Sequence, residues 1–380
     1  MTVPLAGCGR AHFDVNSGDG GSDDADAVPP NSVMSIAQGG KTACALLGSG
    51  DVWCWGNGRL GALARSTEDD SAVPVKIEGI QFLSIDMNDG GTIGFARGGG
   101  AYAWGPNPQQ QFGTGTDIPA HAPVSVAYPP TTVQLSIGEQ MLCAVQTSGN
   151  TVACAGAPEW LGDGGVSPRS DLGIVPGLTA LDVTSGDKHV CARTTSEGAS
   201  CWGDNQFGQL GDGTMNASSV PTAGPAGPWD KIVPGDNHTC ALRSGAVSCW
   251  GDNDVGELGD GSMAVLRATA GPVTGISDAQ DLISYSTGSC VVTAAHDVYC
   301  WGGNEYDQLG LGGGGPFSRV PVRVQGLPLV MAIASRTDNS ICSLTETREV
   351  YCWGDNSAGQ LAQGSFGGTS DVPLKVMGLP

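Results

Sequence analysis

Cationic side chains are scarce in this chain. Seventeen Lys and Arg stand against 38 Asp and Glu, a formal charge of −21 over 380 residues. A surface of that sign repels phosphate backbones and anionic membrane faces, and no basic cluster offsets it, so nucleic-acid binding is not expected. No run of 18 apolar residues exists, so no segment of the given chain reads as a membrane-spanning helix. Apolar periodicity of the helical kind is also missing, which leaves strands and turns.

The usual marks of chemistry are equally thin. No G-x-S-x-G nucleophile elbow occurs. Gly310 to Gly315 fits G-x-G-x-x-G, but Pro316-Phe317-Ser318-Arg319 follows where a dinucleotide fingerprint needs a helix, so it reads as an inter-strand loop. Cysteines never stand as C-x-x-C and have no histidine at ligand spacing, which excludes a zinc site. Asp14 to Gly20 has the start of a calcium loop, but Ala25 stands where the closing Glu belongs. Of five histidines only His189 and His238 share a position in the pattern described next, and both read as packing or turn residues. No catalytic residue, metal or cofactor is expected from these features.

What the chain does have is repetition. Cys191 begins CARTTSEGASCWGDNQFGQLGDG and Cys240 begins CALRSGAVSCWGDNDVGELGDG; related stretches begin at Cys44, Cys290 and Cys342, with weaker ones at Gly94 and Cys143. Measured on Trp55, Trp104, Ala155, Trp202, Trp250, Trp301 and Trp353, the steps are 49, 51, 47, 48, 51 and 52 residues. Each unit offers two short apolar runs around a Gly-containing turn, as at Thr239 to Leu242 and Ala246 to Trp250, a run before them (Trp229 to Val233) and a run after them (Gly256 to Gly259), with a Val-Pro element further back, as at Val73-Pro74, Val220-Pro221, Val320-Pro321 and Val372-Pro373. Four short strands per unit, seven times over, is the arithmetic of an all-β, seven-bladed β-propeller of four-stranded blades. The 61 glycines supply its turns. The ring is expected over residues 31–380. No Val-Pro run precedes Cys44, and the chain ends on one, so the N- and C-terminal segments are expected to pair in one shared blade.

Twelve of the thirteen cysteines form pairs within repeats: Cys44 with Cys54, Cys143 with Cys154, Cys191 with Cys201, Cys240 with Cys249, Cys290 with Cys300, and Cys342 with Cys352. Each pair brackets a hairpin turn, where opposed residues come close enough for a disulfide. The second repeat has Gly94 and Ala103 at these places, and losing both partners together is what a covalent bond predicts. Six disulfides imply an oxidising compartment. Cys8, the odd one, sits in Leu5-Ala6-Gly7-Cys8-Gly9, similar to a bacterial lipoprotein cleavage box, although Met1 to Pro4 is too short for the usual upstream segment. Residues 1–30 then read as a lipidation site followed by an acidic, Gly-rich tether.

The unit G-x-x-H-x-C-A-L…G-x-V-x-C-W-G-x-N-x-x-G-Q-L-G-x-G resembles the regulator of chromosome condensation repeat. The residues that carry the likeness best are Asp236 to Leu242, Cys201 to Asn205 and Gly208 to Gly213. The resemblance covers residues 33–380 and implies the seven-bladed ring. It says less about function, because function resides in sites placed on a fold. The family's namesake is a nucleotide exchange factor that docks on chromatin, a role that charge and cysteines argue against. Secreted bacterial members, one of them a protein inhibitor of β-lactamases, fit better.

Departures from the repeat mark candidate binding residues. The second copy carries Pro106, Gln109 and Gln110 in its loop; the third replaces the repeat Trp by Ala155 and shortens the next loop to include Glu159 and Trp160. Before the second Cys position stand the aromatics Trp53, Tyr102, Tyr299 and Tyr351, on repeats that become neighbours once a ring closes. The expected function is a non-catalytic extracytoplasmic scaffold, monomeric, that holds a basic or neutral protein on one rim and meets a membrane only through a lipid anchor. The alternatives are a secreted lyase or hydrolase with a site at the channel mouth, and a carbohydrate-binding surface protein using exposed aromatics such as Trp53, Trp160, Trp229, Tyr299 and Tyr351.

Overall fold

The repeat unit builds a small antiparallel sheet, and the computed structural model shows seven of them over the described residues, 29–380 apart from Glu197 and Thr337. Cys8 and nearly all of the acidic tether lie outside the described residues. Five blades are separate four-stranded sheets; the third and fourth blades join into one seven-stranded sheet, because Arg169–Ser185 serves both. Its first part pairs with Thr151–Gly156 as the outer strand of the third blade, and its second part with His189–Thr194 as the inner strand of the fourth. Among the described residues, every regular element apart from two 3-10 turns is a strand.

Within a blade, side chains of the second and third strands are mostly buried, those of the inner strand are buried or partly exposed toward the axis, and those of the fourth are half exposed. His238–Arg243 is buried almost throughout, whereas Ser218–Ala226 alternates between partly and fully exposed positions. The fourth strand is not the run expected over residues 256–259, whose glycines make a turn, but the segment after it: Leu266–Pro272 pairs with Ala246–Asp252, and in other blades this outer strand carries the Val-Pro element. Proline has no N–H to offer, so an outer strand that holds Pro74, Pro221, Pro321 or Pro373 resists extension by another chain's edge.

All six expected cysteine pairs are disulfides. Cys44 is bonded to Cys54 in the first blade, Cys143 to Cys154 in the third and Cys191 to Cys201 in the fourth. Cys240 is bonded to Cys249 in the fifth, Cys290 to Cys300 in the sixth and Cys342 to Cys352 in the seventh. In each pair the two residues stand directly opposite each other on the central hairpin, with Cα atoms 4.0 to 4.1 Å apart. That closeness belongs to the non-hydrogen-bonded positions of an antiparallel pair, so the strand register itself brings the sulfurs within bonding reach. In the second blade the register differs from the expectation by one residue: Ala103 faces Ile93, not Gly94. An apolar pair still replaces the disulfide, so the paired loss stands with Ile93 as the partner.

The Gly that follows each repeat Trp is required by geometry. It has φ between 95 and 121° in all seven blades, including Gly156 in the third, where the Trp itself is gone. A Cβ there would collide with a carbonyl oxygen of the turn leading out of the inner strand; at Gly203 it would lie 2.5 Å from the Lys188 oxygen.

Closure is not the shared blade expected from the two ends. The first sheet is made wholly of strands between Val33 and Lys76, and the last wholly of strands between Val330 and Lys375. The Val-Pro strand completes its own repeat, so neither terminus is left short of one. The ends instead meet through the same interface as any two neighbouring blades. The Trp55 indole donates to the Gln360 carbonyl at 2.9 Å, as Trp250 does to Gln209 and Trp353 to Gln308. Gln38 bonds Ser340, and Lys41 pairs with Asp355 at 3.0 Å. Val33, Trp55, Leu344 and Val376 share one buried cluster across the seam.

Candidate functional site

Most of the repeat signature is consumed by the scaffold. Asn205 accepts a hydrogen bond from the Leu210 N–H and donates to the Thr214 and Asn216 carbonyls, pinning the Gly-Gln-Leu loop; Asn107, Asn253, Asn304 and Asn356 do the same in their blades. The Gln209 carbonyl then receives the indole N–H of the next blade's Trp250. His189 and His238 are fully buried and bond Thr239 and Ser289 of the following blade at 2.7 and 3.0 Å. Burial pushes both imidazoles down, to about 3 and about 4, so both are neutral in the folded ring. They are blade couplers.

What differs between blades faces the axis. The inner strands line a central channel of about 550 Å³. Most of its interior charges are paired: Arg336 of the last blade reaches across to Asp86 of the second at 3.2 Å and donates to the Ile137 carbonyl of the third, Lys231 meets Asp281 at 2.6 Å, and Arg193 meets Asp182 at 2.7 Å, while Arg97 donates to the Phe82 and Gly48 carbonyls.

Beyond the lined part of this channel, at one end (the mouth), stand the turns that lead from each inner strand to the second strand. Four consecutive blades place a carboxylate on that turn: Asp89, Glu139, Asp187 and Asp236. They crowd one another. A hydrogen bond shared with Asp187, then burial, then the charges of Asp187 and Asp89 hold the Glu139 carboxyl up at about 8. Burial and the Asp187 charge raise Asp236 to about 6, and the same two causes raise Asp89. One oxygen of Asp236 is buried without a hydrogen-bond partner. Lys188 lies on one of these turns and partly offsets Asp236. On the same face, Glu257 occupies the Gln position of its loop, and burial pushes it up to about 7. Like charges this close favour holding a proton or receiving a cation. Among the described residues no group of three or more His, Cys, Asp or Glu is placed to hold a metal ion.

The candidate residues from the sequence fall into two groups that the fold keeps apart. Pro106, Gln109, Gln110, Glu159 and Trp160 lie in loops on the acidic face. Two contacts fix this: Gln111 donates to the Glu139 carbonyl at 3.2 Å, and the Trp160 indole to the Lys188 carbonyl at 2.8 Å. Trp160 also stands in the Gln place of its shortened loop, where its carbonyl accepts the Trp202 N–H, so its departure from the repeat register is structural. Trp53, Tyr299 and Tyr351 stand near the start of their third strands, toward the hairpin turns at the opposite end of the blades, and each is only half exposed. Trp53 and Tyr299 pack on blade cores, and Tyr351 bonds Glu349. Trp229 is buried at 8% exposure beside Trp250. These aromatics form no exposed platform.

The mouth carboxylates went unnoticed in the sequence although a signal was present. Each lies four residues before the first cysteine position of its repeat, counted from Ile93 in the second. The same place holds Gly40, Ser286 and Asp338 elsewhere.

Comparison with known proteins agrees with this architecture. Models of the "Regulator of chromosome condensation (RCC1) repeat" match residues 33–62, 181–209 and 337–360, and, in a second form, 49–87, 201–242 and 296–339. The chain is 26% identical over 360 residues to the Arabidopsis thaliana ultraviolet-B receptor UVR8, covering 89% of this chain and 80% of that one. It is 27% identical over 201 residues to the human E3 ubiquitin-protein ligase HERC2, a match that takes in half of this chain and only 4% of the ligase. Among solved structures, Saccharomyces cerevisiae Prp20p superposes with a TM-score of 0.76 at 18% identity, over 92% of this chain and 88% of that one. Human WBSCR16 gives 0.74 at 20% identity, over 86% and 94%. At these identities the superpositions bear on the fold alone. Blade count and superposition agree on the fold, and the matched residues give its repeats: the chain is a β-propeller that carries regulator of chromosome condensation repeats.

Proposed function

We propose that the ring is a non-catalytic extracytoplasmic scaffold that binds a basic protein partner on the acidic rim, with a partner lysine or arginine entering the channel mouth. The observation that carries this reading is the run of carboxylates on four successive blades, Asp89, Glu139, Asp187 and Asp236, of which Glu139 is raised to about 8 by Asp187, burial and Asp89, and Asp236 to about 6 by burial, Asp187 and Asp89. A cation arriving there replaces a proton and relieves the repulsion. Pro106, Gln109, Gln110, Glu159 and Trp160 would add contacts on the same rim. Six disulfides favour an oxidising surrounding, and lipidation at Cys8 would tether the ring to a bacterial envelope. The structural neighbour Prp20p is described by its binding to Gsp1p and histones, which supports a protein-binding use of such a ring.

The test is titration of the full chain with a nona-arginine peptide and a neutral Gly-Ser peptide, on wild type and on the amide variant D89N/E139Q/D187N/D236N. The reading expects the basic peptide to bind wild type, more tightly at pH 8 than at pH 6, and to lose that binding in the variant. Equal affinity for wild type and variant would remove the mouth from the account.

A further inference from the structure

Five of the seven blade interfaces are locked in one way. The repeat Trp is fully buried and donates its indole N–H to a backbone carbonyl of the preceding blade: Trp55 to Gln360, Trp202 to Trp160, Trp250 to Gln209, Trp301 to Glu257 and Trp353 to Gln308, all at 2.8 to 2.9 Å. A sixth, Trp104, fills its interface without such a bond. The seventh interface, between the second and third blades, has Ala155 at this place and no indole.

The space was not closed by collapse. A cavity of about 480 Å³ lies there, lined by Gln111, Gly113, Val126, Tyr128, Leu142 and Ala155 among others. These are the counterparts of the residues that clasp the tryptophan elsewhere. The Gly after the Gln-Leu pair meets the next blade's indole at Gly211, Gly259 and Gly310, where an added Cβ would lie 2.6 to 3.0 Å from the indole nitrogen. At Gly113 the only heavy atom within 4 Å is the Ser170 oxygen. The Gln111 carbonyl, whose equivalents receive an indole N–H, accepts no hydrogen bond from any described residue. Tyr128, set edge-on to Phe95 at 5.6 Å, gives one wall, and Leu172 covers part of the adjoining core beside Phe112. Exposed Gly113, Thr114 and Gly115 form the rim, so the gap opens to solvent.

We propose that this gap is a binding site for an indole-class ligand, a planar aromatic ring carrying one N–H donor, seated as the missing tryptophan would be with its N–H on the Gln111 carbonyl. An apolar cavity shaped by removal of a large side chain accepts a small aromatic molecule of the lost shape. Here the unpaired carbonyl adds a directional partner, because a buried acceptor left unmade is costly. The indole could come free or as the tryptophan of a partner protein, and the chemistry that receives it is the same.

Calorimetric titration of the full chain with indole, with benzothiophene (the same shape with no N–H) and with a blocked Gly-Trp-Gly peptide tests this. Wild type should bind indole saturably. Benzothiophene should bind about two- to tenfold more weakly for want of one hydrogen bond. Ala155→Trp should abolish indole binding by filling the site from within. Should that variant fail to fold, Ala155→Phe occupies the gap with a smaller ring and should abolish binding likewise. Binding of free indole but not the peptide assigns a small-molecule ligand, and binding of both assigns a partner's tryptophan. No saturable indole binding by wild type, or undiminished binding by the folded Ala155 variants, overturns the proposal.

Discussion

Replacing Glu139 by Gln isolates the electrostatic strain stored at the channel mouth. Glu139 has its carboxyl at about 8 in the folded ring, against 4.5 for an unperturbed one. Between those values the unfolded chain has released the proton while the folded chain still holds it. Folding stability is therefore greatest below pH 4.5 for this group, falls as pH rises through the window, and levels off above about 8. The full shift would correspond to about 5 kcal/mol at 1.36 kcal/mol per unit, but the group is only half withdrawn from solvent, and screening reduces this to about 1–2 kcal/mol. Gln keeps the shape and a donor toward Asp187 and cannot ionise. Urea denaturation of the oxidised protein, followed by tryptophan fluorescence at pH 5 and pH 8.5, reads the difference directly. E139Q should match wild type at pH 5 and exceed it by about 1–2 kcal/mol at pH 8.5. Other groups, such as Glu257 and the two buried histidines, titrate alike in both proteins and cancel in the comparison. A variant destabilised equally at both pH values would refute the reasoning, since Glu139 would then act by contacts and not by charge.

The remaining predictions concern the scaffold. Removing one disulfide as C191S/C201S should lower stability by about 2–3 kcal/mol, the loop-closure entropy of a ten-residue separation, without unfolding the ring, because the second blade already stands on Ile93 and Ala103; calorimetry of the oxidised variant checks this. Gly203→Ala should cost about 2–4 kcal/mol by combining a positive φ with a clash against the Lys188 oxygen. Gly156→Ala should cost as much despite the missing Trp beside it, and equilibrium denaturation compares the two. His189 and His238 are held neutral in the fold and charge near 6.5 when it opens. Their contribution is therefore complete above pH 6.5 and lost as pH falls toward 4. H238Q should flatten the acid limb of the stability–pH curve, and an unchanged limb would assign acid unfolding to other groups.

The seven units, the first three strands of each and the six disulfides were legible because each repeats a local rule, whereas the fourth strand was placed at residues 256–259, where the glycines make a turn instead. Opposed cysteines such as Cys191 and Cys201, or Cys290 and Cys300, fix a hairpin's register wherever they occur, and the repeat Trp and Gly mark its end. Ring closure was misread because a repeat has no intrinsic starting point. The Val-Pro strand after Asp371 could equally open a unit or finish one, and only strand pairing shows that it finishes its own. The one-residue slip from Ile93 to Gly94 has a related cause, since no cysteine pair anchors that hairpin. The acidic mouth depends on bringing Asp89, Glu139, Asp187 and Asp236 together around an axis, although they are nearly fifty residues apart in the chain. A linear reading saw only a general negative charge. Pro106 and Trp160 stood out as departures, and the fold sets them on that same face, whereas of the aromatic series Trp53 and Tyr299 pack on blade cores and Tyr351 bonds Glu349 at the other end of the blades.

Hydrogen–deuterium exchange of the full chain, free and saturated with a basic protein partner, tests most directly which surface is used. New protection is expected in the turns at residues 88–90, 138–140, 186–188 and 235–237 and in the loops holding Pro106 and Trp160. Protection confined to the hairpin turns at the other end of the blades, or to the outer Val-Pro strands, would contradict it.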